Sequence, residues 1–133
     1  MMKRHWISSD SVGLFIIGLA ALLRGISYMP FMVSPERPPA HLLEQVAPPP
    51  LWAWPWVISG VLCFAAVIFP RFTPPAVGAG VGLHFLWAVS FLVSGGRGWV
   101  SSIGYGAVTA LALWAFSRGR LQYSASVPSL KEG

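Results

Sequence analysis

Arg24, Ser27 and Tyr28 stand at i, i+3 and i+4 within the first long apolar run of the sequence, a spacing that puts all three on one helix face. A guanidinium inside a membrane helix costs about 2.5–3.5 kcal/mol at the bilayer centre and marks a functional hypothesis by default. Counted from Val12, Arg24 lies about 18 Å along a helix and about 9 Å short of Pro30, so its long stem can snorkel to the headgroups. That anchor reading predicts that Lys serves as well as Arg. The competing reading has the planar fork held by Ser27, Tyr28 or the stripe Ser102, Tyr105 and Thr109, which recurs at i, i+3 and i+7 further along the chain. His84 shares a face with Gly80, Trp87 and Ala88. Relaying protons or binding a metal would require partners, and no acidic residue falls inside an apolar run, so a neutral, hydrogen-bonded histidine is expected. These seven polar residues form the candidate intramembrane cluster.

Outside the apolar runs, His41 and Glu44 are at i, i+3, two donors of a metal site that lacks a third, and a structural or solvated role is expected for both. Asp10, Glu36, Glu44 and Glu132 all lie outside the runs, and no nucleophile, base and orienting group converge by spacing. No catalytic residue, cofactor or metal is therefore assigned, and the chain reads as non-enzymatic. Gly95-Gly96-Arg97-Gly98 is a tight turn without a Walker pattern. Cys63, the lone cysteine, excludes an intramolecular disulfide.

The elements that must position these residues are membrane spans. Of the 133 residues 55% are hydrophobic and 10% charged, and mean hydropathy is +0.64. About 20 apolar residues cross a bilayer core about 30 Å thick. Four runs meet that length: residues 12–32, 51–69, 75–94 and 99–116. They predict one all-α domain over 12–117, an antiparallel four-helix transmembrane bundle, between an N-terminal segment 1–11 and a polar, disordered tail 118–133. Lys3 and Arg4 precede the first run as in a secretory signal, but no small-residue cleavage site follows, so the run is expected to stay as a span.

The first connection, residues 33–50, holds six prolines. Between them, residues 39–47 predict a short interfacial helix with Leu42, Leu43 and Val46 on one face and Glu44 on the other. Trp52, Trp54 and Trp56 open the second span and Trp99 the fourth, as an interfacial aromatic belt. Pro55 falls in or near the first turn of its helix, where a missing N–H costs little. Small-xxx-small pairs predict helix packing at Ala21 and Gly25, Gly78 and Gly82, and Gly106 and Ala110, with packing inside the chain favoured over a dimer seam for the second pair.

The net charge of +5 forms no basic stripe, which argues against nucleic acid. It suits positive-inside topology. Lys3, Arg4, Arg71, Arg118, Arg120 and Lys131 share one side, against Arg37 and Arg97 on the other, so both termini are expected in the cytoplasm.

The order of Arg-Gly-x-Ser-Tyr (residues 24–28), a Pro-rich loop with a short helix, a Trp-rich start to the second span and Arg-Gly-Trp-Val-Ser (residues 97–101) resembles small four-span membrane proteins of actinobacterial phages and prophages. The resemblance implies a phage-borne protein of the host cell membrane and no site residue. The fluoride-channel pattern is not met, because the chain contains no Asn and no Thr-Thr-Phe-Ser type break in its third span. A proton-coupled multidrug transporter would need an embedded carboxylate where this chain has Arg24. Two functions remain: an accessory membrane component whose partners are the lipid bilayer and a second copy or another membrane protein, and a holin-like protein that permeabilises the membrane.

Overall fold

The computed structural model describes residues 9–34 and 36–126. Helix α1 (Ser9–Ser27) carries Asp10 in its first turn and Arg24 in its last, each sign matched to the helix dipole. It stops five residues before the expected Met32. The amides of Tyr28 and Met29 bond the carbonyls of Gly25 and Ile26, the tighter i→i+3 pattern, and Pro30 bars a further helical turn. Tyr28 is thereby turned back into the bundle, 1% exposed.

Helix α2 (Leu42–Val46) is the predicted short helix of the first connection. Helix α3 (Pro49–Ile68) opens on two prolines, where no amide is needed, and Pro70 ends it. Because it begins at Pro49, Pro55 lies in the helix interior and not in the first turn. A single 3-10 turn, Pro70–Phe72, leads into α4 (Thr73–Val93), again opened by prolines. Gly95 and Gly96 then adopt positive φ of 74° and 57°, the left-handed turn expected of that glycine cluster. Helix α5 (Gly98–Ser126) runs ten residues past the expected Phe116, since no proline interrupts it before Pro128. The helical part of the expected disordered tail is thus corrected, while residues 127–133 lie outside the described residues.

Four of these helices are long and apolar enough to cross a membrane, over Asp10–Ser27, Pro49–Ile68, Pro70–Val93 and Gly98–Arg118. They form an antiparallel bundle in which α1 packs mainly on α3 and α4 mainly on α5, with α1–α5 and α3–α4 seams closing the ring. Glycine permits the α1–α3 approach. A Cβ on Gly25 would stand 2.6 Å from Val57 Cγ2, and one on Gly60 2.6 Å from Leu22 Cγ.

The core has two halves. Leu14, Ile17, Cys63, Ala66, Ala76, Ala112 and Phe116 make an aliphatic half at the end where α1 begins and the α5 span finishes. Ala21, Tyr28, Ala53, Trp56, Trp87 and Phe91 make an aromatic half at the end that carries the first connection. Trp56 and Trp87 are both 0% exposed and meet edge to face, with centroids 5.0 Å apart. The belt is therefore corrected: Trp54 and Trp99 face outward, whereas Trp56 is core and Trp52 turns inward to donate its indole N–H to the carbonyls of Leu43 and Ala47. Two of the three packing pairs meet no helix of their own chain, against the packing inside the chain favoured for Gly78 and Gly82. Ala21 and Gly25 are buried against α3, but a Cβ on Gly78, Gly82 or Gly106 would meet nothing within 4 Å, and Ala110 is exposed.

Candidate functional site

The aromatic half encloses a polar network built by the first connection. Residues 37–46 fold down over the bundle mouth, and α2 is fastened to α4 by its first amides. Leu42 N–H donates to Ser94 Oγ and Leu43 N–H to Ser90 Oγ, both at 3.0 Å. Ser90 of α4 and Ser94 just past its end thus cap donors that the short helix leaves free. His41 inserts beside them, with Nδ1 2.8 Å from Ser90 Oγ and its ring against Phe91 and Trp87.

Glu44 lies at the centre. Of the structural or solvated role expected for His41 and Glu44, the structure shows the structural one, since Glu44 is 4% and His41 1% exposed while Leu42 and Val46 face outward at 48% and 75%. A helix bordering lipid keeps apolar residues outside and sends its carboxylate to partners within. Arg37 Nη2 donates to both carboxylate oxygens at 3.0 and 2.9 Å, Ala40 N–H to Oε2 at 2.8 Å, and the Tyr28 hydroxyl to Oε1 at 2.9 Å. His41 Nε2 stands 3.4 Å from Oε1. Burial alone would raise the Glu44 pKa, but the bonds from His41, Ala40, Arg37 and Tyr28 outweigh it and hold the carboxyl down at about 2.

The Tyr28 hydroxyl is the second hub. Its proton goes to Glu44, and its oxygen accepts from Trp87 Nε1 at 2.9 Å and from Arg24 Nη2 at 2.5 Å. With the tyrosine oxygen filled, the proton on His41 Nε2 is directed to Glu44, and Nδ1 accepts from Ser90. A chain of bonds thus joins Arg24 on α1 to Ser90 on α4 through Tyr28, Glu44 and His41.

Arg24 is consequently no free anchor. Its guanidinium carbon sits 4.2 Å from the Tyr28 ring centroid and 5.4 Å from that of Tyr105, and its fork bonds the Tyr28 hydroxyl. This is the geometry in which a lysine is a poor substitute. Of the other expected cluster members, Ser27 Oγ bonds the Arg24 carbonyl, Ser102 Oγ bonds the Ala88 carbonyl and joins α5 to α4, and Thr109 Oγ1 bonds the Tyr105 carbonyl of its own helix. The stripe divides: Tyr105 faces Arg24, whereas Ser102 and Thr109 line a groove of about 440 Å³ on the opposite α4–α5 surface. His84 is buried with Nδ1 2.8 Å from the Gly80 carbonyl, the hydrogen-bonded bundle histidine expected.

Sequence reasoning missed Glu44, His41, Arg37, Ser90 and Trp87 as parts of this site. One signal was available: Trp87, Ser90 and Ser94 recur at i, i+3 and i+7 at the end of a span, a polar strip that needs partners from outside its own helix.

Comparison with known proteins found no matching family model, no similar curated protein and no similar solved structure.

Proposed function

We propose that this chain is a non-enzymatic, phage-borne component of the host cell membrane that works by assembling with a second copy of itself or with another membrane protein. One observation carries the reading. The glycines that let α1 approach α3 are used, whereas Gly78, Gly82 and Gly106 have open space where a side chain would stand, on the outward faces of α4 and α5. Lipid-facing small residues give backbones room to approach, which is what helix association in a bilayer requires. The non-enzymatic part rests on Glu44, whose oxygens are occupied by Arg37, Tyr28 and Ala40 and which therefore presents no free base. The resemblance of the sequence to four-span phage proteins supports the origin.

The test is the oligomeric state of the purified protein in mild detergent, read by native mass spectrometry, together with the membrane potential of expressing bacteria. The wild type is expected to form a defined oligomer and Gly78→Leu/Gly82→Leu to be monomeric with unchanged Tm, because a Cβ at either position has no neighbour within 4 Å. Gly80→Ala is the packing control: its Cβ would collide with Ile17 Cγ2, so it lowers stability by the usual overpacking cost of about 1–3 kcal/mol and Tm falls with it. The potential is expected to persist, since Trp56, Trp87 and Tyr28 fill the middle of the bundle. A wild-type protein that is monomeric and binds no other membrane protein removes the assembly reading. Abrupt depolarisation would put the holin-like alternative in its place.

The charge distribution supports both termini in the cytoplasm. Cysteine placed at Ala40 is expected to react with an impermeant maleimide in intact cells, and cysteine at Ser126 only after lysis; the opposite pattern inverts the topology. Cys63 is buried and should not contribute to the labelling.

A further inference from the structure

Between α1 and α5 lies a groove of about 450 Å³, open to the side of the bundle, with Arg24, Ser101 and Tyr105 toward its polar end and His84 lining it from α4. The charge balance there is uneven. Arg37 takes both oxygens of Glu44, so Arg24 has no carboxylate of its own, and its one hydrogen bond goes to the neutral Tyr28 hydroxyl. A guanidinium carries five N–H donors. Among the described residues four of those on Arg24 have no acceptor, and its Nε is buried with none. The side-chain hydroxyls of Ser101 and Tyr105, on the facing wall, are also without a hydrogen-bond partner among the described residues.

An acceptor with several oxygens and a negative charge is what this arrangement lacks. Arg24 is three residues from the end of α1, about 4.5 Å along the axis, and so within reach of the lipid headgroups for its long side chain. Further from that end, the groove continues over Ala20, Leu23, Gly104 and Val108, an apolar channel that a free inorganic ion would not use. We infer that the α1–α5 groove binds one anionic phospholipid, its phosphate on the open edge of the Arg24 guanidinium and the Ser101 and Tyr105 hydroxyls, and one acyl chain lying across Gly104. The inference rests on membrane insertion and not on self-assembly, and the groove is on a different face from Gly78 and Gly82.

The test is native mass spectrometry of the full chain in detergent with phosphatidylglycerol, phosphatidylcholine or inorganic phosphate as the probe. The wild type is expected to retain one phosphatidylglycerol, and phosphatidylcholine about tenfold more weakly. Arg24→Gln should lose about tenfold in phosphatidylglycerol affinity. Because that variant also touches the Tyr28 network, Gly104→Leu is the second arm. A Cβ there meets no protein atom within 4 Å, and Gly104 lines the groove and not the core, so a leucine enters the groove. Gly104→Leu should lose the lipid with Tm unchanged. Retention of phosphatidylglycerol at the wild-type level in Gly104→Leu overturns the site, as does equal binding of the two lipids. Binding of inorganic phosphate that depends on Arg24 and displaces the lipid assigns the groove to a soluble anion and overturns the lipid.

Discussion

Glu44→Ala is expected to lower the stability of the bundle by about 2–4 kcal/mol, the usual cost of taking a charged acceptor away from several hydrogen-bond donors. The substitution leaves the Tyr28 hydroxyl and the Ala40 amide without their acceptor, while Arg37, whose side chain is exposed, turns to water. The first connection should then come away from the mouth, so that protease cleavage between Val33 and Val46 accelerates together with the fall in Tm. The pH dependence supplies a sharper test. The folded Glu44 pKa is depressed to about 2 from 4.5, so its contribution is fully present above pH 4.5 and is lost as pH falls toward 2. The size of that shift corresponds to about 3 kcal/mol. Wild-type protein should therefore lose stability across this window, whereas Glu44→Gln, already without the charge, should start lower and lose less. Parallel acid profiles for the two proteins would show that the buried carboxylate is not what holds the mouth closed.

The four spans were legible because a run of about 20 apolar residues bounded by proline or glycine has few alternatives. Their ends were less so, and for local reasons: Tyr28 leaves the helix to reach Glu44, while α5 continues because nothing stops it before Pro128. The site was half legible. Arg24, Tyr28 and His84 stood out as polar residues in apolar runs, but the two faces of α2, with Leu42, Leu43 and Val46 on one and Glu44 on the other, do not say which of them meets the bundle. At the rim of a membrane bundle the outside is itself apolar, so Leu42 and Val46 go outward at no cost and Glu44 seeks donors inside. The same inversion explains Trp56. An indole at the start of a span suits the interface, yet Trp56 falls on the face of α3 that meets His84 and Trp87, and ring packing there decides its place. Nor does a small-xxx-small pair say which surface it serves. Ala21 and Gly25 match a partner helix within the chain, whereas Gly78 and Gly82 have the same spacing and no partner among the described residues.

Tyr28→Phe removes a single oxygen and is expected to cost about 2–4 kcal/mol, more than a typical hydrogen bond, because three groups depend on that atom. Trp87 Nε1 and Arg24 Nη2 lose their acceptor and Glu44 loses a donor. Trp87 is 0% exposed and cannot turn to water, so its orphaned N–H incurs the full desolvation penalty of about 1–3 kcal/mol, while half-buried Arg24 recovers part of its loss from the groove. The ring itself stays, and with it the edge contact to Trp87 and the stacking under the Arg24 guanidinium, so packing is not what the variant tests. Tyr105→Phe is the matched control. That hydroxyl has no protein partner among the described residues, and its removal should leave Tm unchanged in detergent without added lipid. If the loss arises in the network, Trp87→Phe and Tyr28→Phe will be non-additive, with a coupling of about 1–2 kcal/mol read from a double-mutant cycle of unfolding free energies. Additive losses, or a Tyr28→Phe protein as stable as the wild type, would mean that the hydroxyl does not join the mouth of the bundle into one unit.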